Sequence, residues 1–418
     1  MKSGSETWLT PKRLRAHGLL LGVVLWGLYV WTLATPGLRD RNGNLKGTDF
    51  LHLYTLGSLA AERRGADLYD MNAQAMLAAQ RVPDAAGIRY LPSYPPQVSI
   101  FFAPLAGLSY GWALSVWWIF SATVYGFCCY TVWRACPNLR DHGGTVALLA
   151  TAFPAFFNLI AWGQTSAIAL GCFTLMFFCM RDRLDFWTGV SLGCLIFKPQ
   201  LGLAATIVFV SIGAWKILAG AAVSCAAQLS LGMIYYGTEP FRRWLGTLWH
   251  VRALLPWLEP KPYQTHCLRT FWAMIVPWPA LSVVLYGASA AIILVATIRL
   301  WNRGQSVPLA LRYSALLLAT VLVAPHLTVY DLVILAPAIL ILSDWLAGQQ
   351  SSSEVRRAAG SLLYLVYALP LLGIVARYTH VQLSVLAMVA LVFVIARLSS
   401  NAIPNPDTHM ESSAIAPR

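Results

Sequence analysis

Small groups of polar residues interrupt a chain that is otherwise mostly apolar. The groups contain Asp49, Gln164, Lys198 and the pair His326 and Asp331. Asp49 follows the first apolar run, and Lys198 lies with Pro199 between two short apolar runs. A charged side chain at the mouth of a membrane bundle is costly, so it is expected to have a task or a partner of opposite charge.

The composition predicts an all-α, polytopic integral membrane protein. Of the 418 residues, 58% are hydrophobic and 11% are charged, whereas soluble domains carry about 25% charged residues. The net charge of +13 is spread through short loops. That distribution fits membrane topology and anionic membrane lipids, and it argues against a nucleic-acid partner.

The residue types that bind metals lack the spacing of a metal site. The eight cysteines form no CxxC pair and fall mostly in apolar runs, which indicates small core residues. Asp67 and Asp70 have the wrong spacing for a DxD pair, and His52 and His266 are expected at the surface. The sequence therefore predicts neither a metal nor a cofactor.

Apolar runs of about 20 residues predict about 12 transmembrane helices in one domain, residues 1–398. The runs lie near 17–35, 98–133 (one long or two broken), 144–160, 164–180, 186–197, 200–214, 217–236, 271–298, 308–324, 329–346, 358–376 and 380–398. The two short runs around Lys198 are expected to form a broken hairpin. Residues 399–418 are predicted to be a disordered cytoplasmic tail.

Lysine and arginine in alternate short loops predict the orientation of the helices. They place outer loops at about 36–97 and 237–270, and they put all the polar groups on the extracytoplasmic side. Amphipathic helices lying in the membrane interface are expected within these loops, over Phe50–Arg64, Asp70–Arg81 and Phe241–Leu255.

Several of these motifs, taken together, resemble a known family. They are Asp49 in the first outer loop, Tyr94-Pro95-Pro96, Gly163-Gln164, and Lys198-Pro199 after Gly189–Gly193. In this order and on one side of the membrane, over about residues 45–340, they resemble glycosyltransferase family 87 (GT87) of the glycosyltransferase C group. The resemblance implies a bacterial inner-membrane enzyme of glycolipid and cell-envelope synthesis. Such an enzyme transfers a hexose, with mannose as the family's sugar, from a polyprenyl-phosphate-sugar donor to a lipid or glycan acceptor.

The resemblance also implies a role for Asp49. An acceptor hydroxyl gains from a nearby carboxylate that takes its proton, so Asp49 is predicted to be the catalytic base. Attack opposite the leaving phosphate would invert the anomeric centre. The alternative is that Asp49 or Thr48 only caps the helix that begins near Phe50.

The departing phosphate requires cations or fixed hydrogen-bond donors, and Lys198 is predicted to supply one. Its alternative role is to snorkel to the lipid headgroups. Arg242, Arg243, Arg252 and Arg269 are further cations, of which Arg269 is included in the predicted substrate-binding set.

The other predicted substrate-binding residues are Gln164, Tyr94, His326 and Asp331. Gln164 is predicted to bind sugar hydroxyls, or only to begin a helix. Tyr94 is predicted to stack on a sugar or acyl chain, or only to pack in a turn. His326 and Asp331 are predicted to hold the donor, or only to pair with each other and anchor a loop.

Two other classes of protein fit the same spans. A transporter or lipid flippase fits the number of spans and the charge, but it would carry internal repeats and polar groups from both halves. A structural subunit of an envelope-assembly complex would leave Asp49 and Lys198 without a shared cavity. The relative position of these two residues therefore separates the hypotheses.

Overall fold

The computed structural model describes residues 9–250, 258–349 and 354–401. Within these ranges the chain is all-α, as predicted, with 3-10 turns and isolated β-bridges but no strand. The α-helices are α1 (Pro11–Leu33), α2 (Thr48–Ala61), α3 (Met71–Arg81), α4 (Gln97–Phe102), α5 (Tyr110–Arg134), α6 (Gly143–Thr151), α7 (Pro154–Trp162), α8 (Ser166–Arg181), α9 (Asp185–Gly193), α10 (Leu203–Ser211), α11 (Trp215–Tyr236), α12 (Glu239–Trp249), α13 (Leu268–Ile275), α14 (Pro279–Asn302), α15 (Leu309–Val323), α16 (Ala336–Ala347), α17 (Glu354–Ala368), α18 (Gly373–Thr379) and α19 (Leu383–Asn401).

Seven helical segments of the described chain are long and apolar enough to cross a membrane, or eight if the bent pair α6–α7 is one span. The seven are Pro11–Leu33, Tyr110–Arg134, Trp215–Tyr236, Pro279–Asn302, Val329–Ala347, Glu354–Thr379 and Leu383–Ser400. The predicted number of about 12 is not confirmed. Shorter apolar helices such as α8 and α15 account for much of the difference, because a helix surrounded by other helices is apolar whatever its length.

The helix break around Lys198 is present as predicted. Helix α9 ends at Gly193, a 3-10 turn follows over Cys194–Phe197, and the backbone of Lys198 (φ −135°, ψ 72°) leaves the helical region before Pro199. Helix α9 packs closely against α11, since a Cβ added at Gly189 would lie 1.8 Å from the carbonyl oxygen of Ile217. This close packing fixes the position of the helix that leads to Lys198.

The first predicted outer loop contains two α-helices before α4. Helix α3 forms as predicted, and Asp70 caps it by accepting hydrogen bonds from the backbone of Asn72 and Ala73. Helix α2 also forms, but residues 50–60 are all buried. It is therefore a core helix and does not lie in the membrane interface, because neighbouring segments cover every face.

Three other sequence predictions need adjustment. The run 271–298 is divided between α13 and α14 by residues 276–278. Helix α19 continues to Asn401, and the rest of the predicted tail, 402–418, lies outside the described residues. Residues 251–255 of the predicted 241–255 helix lie outside them as well. His52 and His266, expected at the surface, are 5% and 0% exposed.

Candidate active site

Asp49 lies in the first turn of α2, where its carboxylate meets the turn between α7 and α8. The Asp49 Oδ2 accepts a hydrogen bond of 2.5 Å from the Gln164 Nε2. Gly163 makes this approach possible, because its φ is +70° and a Cβ would lie 2.7 Å from the Cβ of Phe50. Gly47 occupies the N-cap position and neither Thr48 nor Asp49 caps the helix with its side chain, although Asp49 is the acidic residue of the first turn.

The surroundings of Asp49 change its acidity. Burial raises the pKa of Asp49 to about 6 from its ordinary 3.8, while the Gln164 hydrogen bond and the charges of Lys198 and Lys261 act in the opposite direction. The residue is only partly buried, so a ligand can reach it. A carboxylate with a pKa near the working pH is a suitable proton acceptor.

Three consecutive residues connect Asp49 to the other charged groups. The Tyr94 hydroxyl lies 3.4 Å from the Gln164 Oε1 and 3.3 Å from the Thr165 Oγ1. The Ser166 Oγ donates a hydrogen bond of 2.5 Å to the Asp331 Oδ1. Residues 164–166 therefore join Asp49 on one side to Asp331 on the other.

Lys198 and Asp331 form a buried ion pair. The Lys198 Nζ lies 2.8 Å from the Asp331 Oδ1, and the two side chains are 8% and 3% exposed. Asp331 is also held by a capping box with Thr328, and the ring of Tyr330 lies 5.1 Å from the Lys198 Nζ. Lys198 is thus directed into the protein and does not snorkel.

His326 and Arg269 meet at an acid that the sequence analysis did not select. The Glu259 Oε1 lies 2.7 Å from the His326 Nδ1, and it also pairs with Arg269. Burial favours the neutral acid, but His326 and Arg269 outweigh burial and lower the pKa of Glu259. The predicted pairing of His326 with Asp331 is therefore wrong, since His326 bonds to Glu259.

The structure brings Asp49, Gln164, Tyr94, Asp331 and Lys198 into one network, with His326 and Arg269 in the adjoining Glu259 cluster. Sequence reasoning missed Ser166, Glu259 and Tyr330. The polar run Gly163-Gln164-Thr165-Ser166 opening an apolar helix was a signal for Ser166, whereas nothing local marked Glu259. In the described ranges, no group of three His, Cys, Asp or Glu side chains is arranged to hold a metal ion.

These observations define a polytopic membrane protein with a polar, partly buried site where α2, α7 and α8 meet. The sequence profile of glycosyltransferase family 87 matches residues 91–325, which is more than half of the chain. The chain belongs to this family and is a membrane glycosyltransferase. Asp49 precedes the matched region, and His326 and Asp331 follow it. Comparisons with curated proteins and with solved structures gave no match.

Proposed function

We propose that this enzyme transfers a hexose, with mannose as the first candidate, from a polyprenyl-phosphate-sugar donor. The acceptor is a hydroxyl of a lipid or glycan, and the site faces the extracytoplasmic side of a bacterial inner membrane. The observation that carries the proposal is the contact of Asp49, a partly exposed residue, with residues 164–166, which join it to the Lys198–Asp331 pair.

Asp49 acts as the base in this proposal. The acceptor oxygen forms a bond to the anomeric carbon while its proton passes to the Asp49 carboxylate. The bond from the anomeric carbon to the phosphate oxygen breaks, and the polyprenyl phosphate leaves with the electron pair. Because attack and departure occur on opposite faces, a β-linked donor gives an α-linked product. The amide of Gln164 orients the carboxylate through the hydrogen bond at 2.5 Å.

The other residues are proposed to bind the substrates. Lys198 has three N–H donors, of which Asp331 and Ser166 use two, so the third can stabilise the leaving phosphate. Gln164 and Tyr94 offer hydrogen bonds to sugar hydroxyls.

Two further basic residues adjoin this part of the site. His326 and Arg269, held by Glu259, are proposed to bind the donor beside Lys198.

The arrangement of basic residues supports the proposed orientation. Helix α5 begins at Tyr110, which donates hydrogen bonds to the carbonyls of Lys46 and Gly47 beside the site, and it ends at Arg134. Helix α8 likewise runs from Ser166 in the site to Arg181. Under the positive-inside rule, arginines at the helix ends far from the site support a cytoplasmic location for those ends and an extracytoplasmic location for the site.

The test is transfer of radiolabelled sugar from a panel of polyprenyl-phosphate sugars into membrane lipids. We expect label with one donor from the wild type and none above background from Asp49→Asn. Asp84→Asn is the matched control, because this carboxylate is 44% exposed and pairs with Arg39 outside the network. Failure of every donor with folded protein and native acceptors would refute the proposed donor class.

A further inference from the structure

The basic residues of the predicted substrate-binding set are each paired with a buried acid. Lys198 pairs with Asp331, and both Arg269 and His326 contact Glu259. A positive charge paired with a negative one attracts a third charge weakly, because the two fields largely cancel. An arriving phosphate therefore needs a further cation.

Lys261 is such a cation. It is exposed, and in the described part of the chain no carboxylate lies within ion-pair distance of it. Its Nζ lies 5.6 Å from the centre of the Trp162 ring, at the end of α7. Its charge acts on the Asp49 carboxyl, so it lies within electrostatic reach of the proposed base.

The segment that carries Lys261 is anchored to the site. Thr265 forms an antiparallel bridge with Thr328, and the backbone N–H of His266 donates a 2.8 Å hydrogen bond to the carbonyl of Leu327. Thr328 is the N-cap residue of the 3-10 helix Val329–Leu335, and its backbone N–H and its Oγ1 donate hydrogen bonds to the Asp331 Oδ2. The position of Lys261 is therefore coupled to that of the Lys198–Asp331 pair.

Each of the two lysines lies over an aromatic ring, and the two rings are neighbours. The ring centres of Trp162 and Tyr330 are 6.4 Å apart, and the Lys198 Nζ lies 5.1 Å from the Tyr330 ring. Lys261 thus lies against Trp162 and Lys198 against Tyr330. We call this pair of neighbouring rings the Trp162–Tyr330 wall. Such rings present a flat apolar surface to C–H groups and also hold cations over their faces.

We propose that Lys261, held over Trp162, binds the phosphate of the polyprenyl-phosphate donor, and that the Trp162–Tyr330 wall packs against the sugar that the phosphate carries. This inference rests on the proposed function and adds the residue that recognises the anionic part of the donor. Lys198 stays paired with Asp331 and acts on the leaving phosphate with its third N–H, whereas Lys261 makes the first contact with the donor.

Binding measurements with a donor fragment test the inference. The protein, in nanodiscs of zwitterionic lipid, is titrated with polyprenyl phosphate and with the uncharged polyprenol of the same length. We expect Lys261→Ala to bind the phosphate about tenfold more weakly, which corresponds to about 1.4 kcal/mol of binding free energy. Lys261→Arg should stay within about threefold of wild type, because it keeps the charge.

The controls separate phosphate recognition from a change in fold. Lys216→Ala removes an exposed lysine at the start of α11 and should leave binding unchanged. Unchanged phosphate binding in Lys261→Ala would overturn the inference. An equal loss for the polyprenol would also overturn it, because the lysine would then support the fold and not the phosphate.

The same titration separates this inference from the proposed function. A protein that prefers polyprenyl phosphate over polyprenol through Lys261, yet transfers no sugar from any donor, would refute the proposed reaction and uphold the phosphate site. A protein that transfers sugar while Lys261→Ala keeps its wild-type affinity would uphold the reaction and refute the role of Lys261.

Discussion

Replacing Asp49 with asparagine separates catalysis from stability, because the structure predicts opposite effects on the two. The asparagine Oδ1 can still accept the hydrogen bond from the Gln164 Nε2, which is the contact that holds the wild-type carboxylate. The substitution therefore removes the charge and the base while it keeps the local geometry. A general base contributes about 10²–10⁴-fold to a rate, and we expect transfer to fall by that factor.

The stability of the same variant follows from the acidity of Asp49. Burial raises the pKa from 3.8 to about 6, so the ionised form is less stable in the fold than in water by about 3 kcal/mol. Because the pKa is raised in the fold, the wild type has its full unfolding free energy below pH 3.8, where Asp49 is protonated in both the folded and the unfolded state. About 3 kcal/mol of that free energy is lost as the pH rises through 6. Asp49→Asn is neutral throughout, so it should be more stable than wild type above pH 6 and should lose this advantage near pH 4.

Thermal unfolding in detergent at several pH values, together with the radiolabelled transfer assay, measures both effects. Asp84→Asn removes an exposed carboxylate from the same segment and should change neither. Undiminished transfer by Asp49→Asn would refute the assignment of the base. Lower stability of Asp49→Asn at pH 7.5 would refute the burial argument, even if transfer were lost.

Four further results are expected. Below about pH 6 the wild-type kcat/KM should fall tenfold per pH unit, because protonated Asp49 cannot accept a proton; a flat profile down to pH 4 would contradict this. Lys198→Met should cost about 3–5 kcal/mol of unfolding free energy by leaving a buried charge unpaired, and adding Asp331→Leu should restore most of it. Glu259→Gln should lose about 2 kcal/mol of unfolding free energy at pH 7. The difference in unfolding free energy between this variant and the wild type should shrink as the pH falls below 4.5. The reason is that the pKa of Glu259 is lowered in the fold, so Glu259 stabilises the fold only while it is ionised. Gly189→Ala should cost about 1–3 kcal/mol, because its Cβ would meet the backbone of α11 at 1.8 Å.

Each of these stability measurements has an internal reference. Gly126→Ala in α5 is the control for Gly189, since its Cβ would meet nothing within 4 Å and alanine favours a helix by about 0.5–1 kcal/mol. For the ion pair, a double variant as unstable as Lys198→Met alone would show that packing, and not the unpaired charge, causes the loss. For Glu259, a deficit that stays constant with pH would show that its charge is not the source.

The sequence predicted the features that depend on local composition. Apolar runs identified an all-α membrane protein, and the lysine and proline at 198–199 correctly marked a helix break. The number of transmembrane spans could not be counted from apolar runs alone. Helices α8 and α15 are apolar because they are buried in the protein, and they are too short to pass as membrane spans. They lie among other helices, and α15 is buried along nearly its whole length.

The contacts between charged residues show the limit of sequence reasoning. His326 and Asp331 are five residues apart, so a local pair was a natural hypothesis, yet His326 bonds to Glu259 and Asp331 bonds to Lys198. These partners are 67 and 133 residues away. No local spacing encodes a contact of this kind, since it depends on how the intervening helices pack.

The sequence by itself determined which residues could not be left without a partner, because a charge in an apolar chain needs compensation wherever it lies. It therefore pointed to Lys198 and Asp331, which form an ion pair, and to Asp49, whose hydrogen-bond partner is the neutral Gln164. Only the tertiary structure decided which acid neutralises which base and which cation remains exposed. Those outcomes depend on distances of a few ångströms, which are fixed by close helix packing such as that of Gly163 against Phe50 and not by the order of residues in the chain.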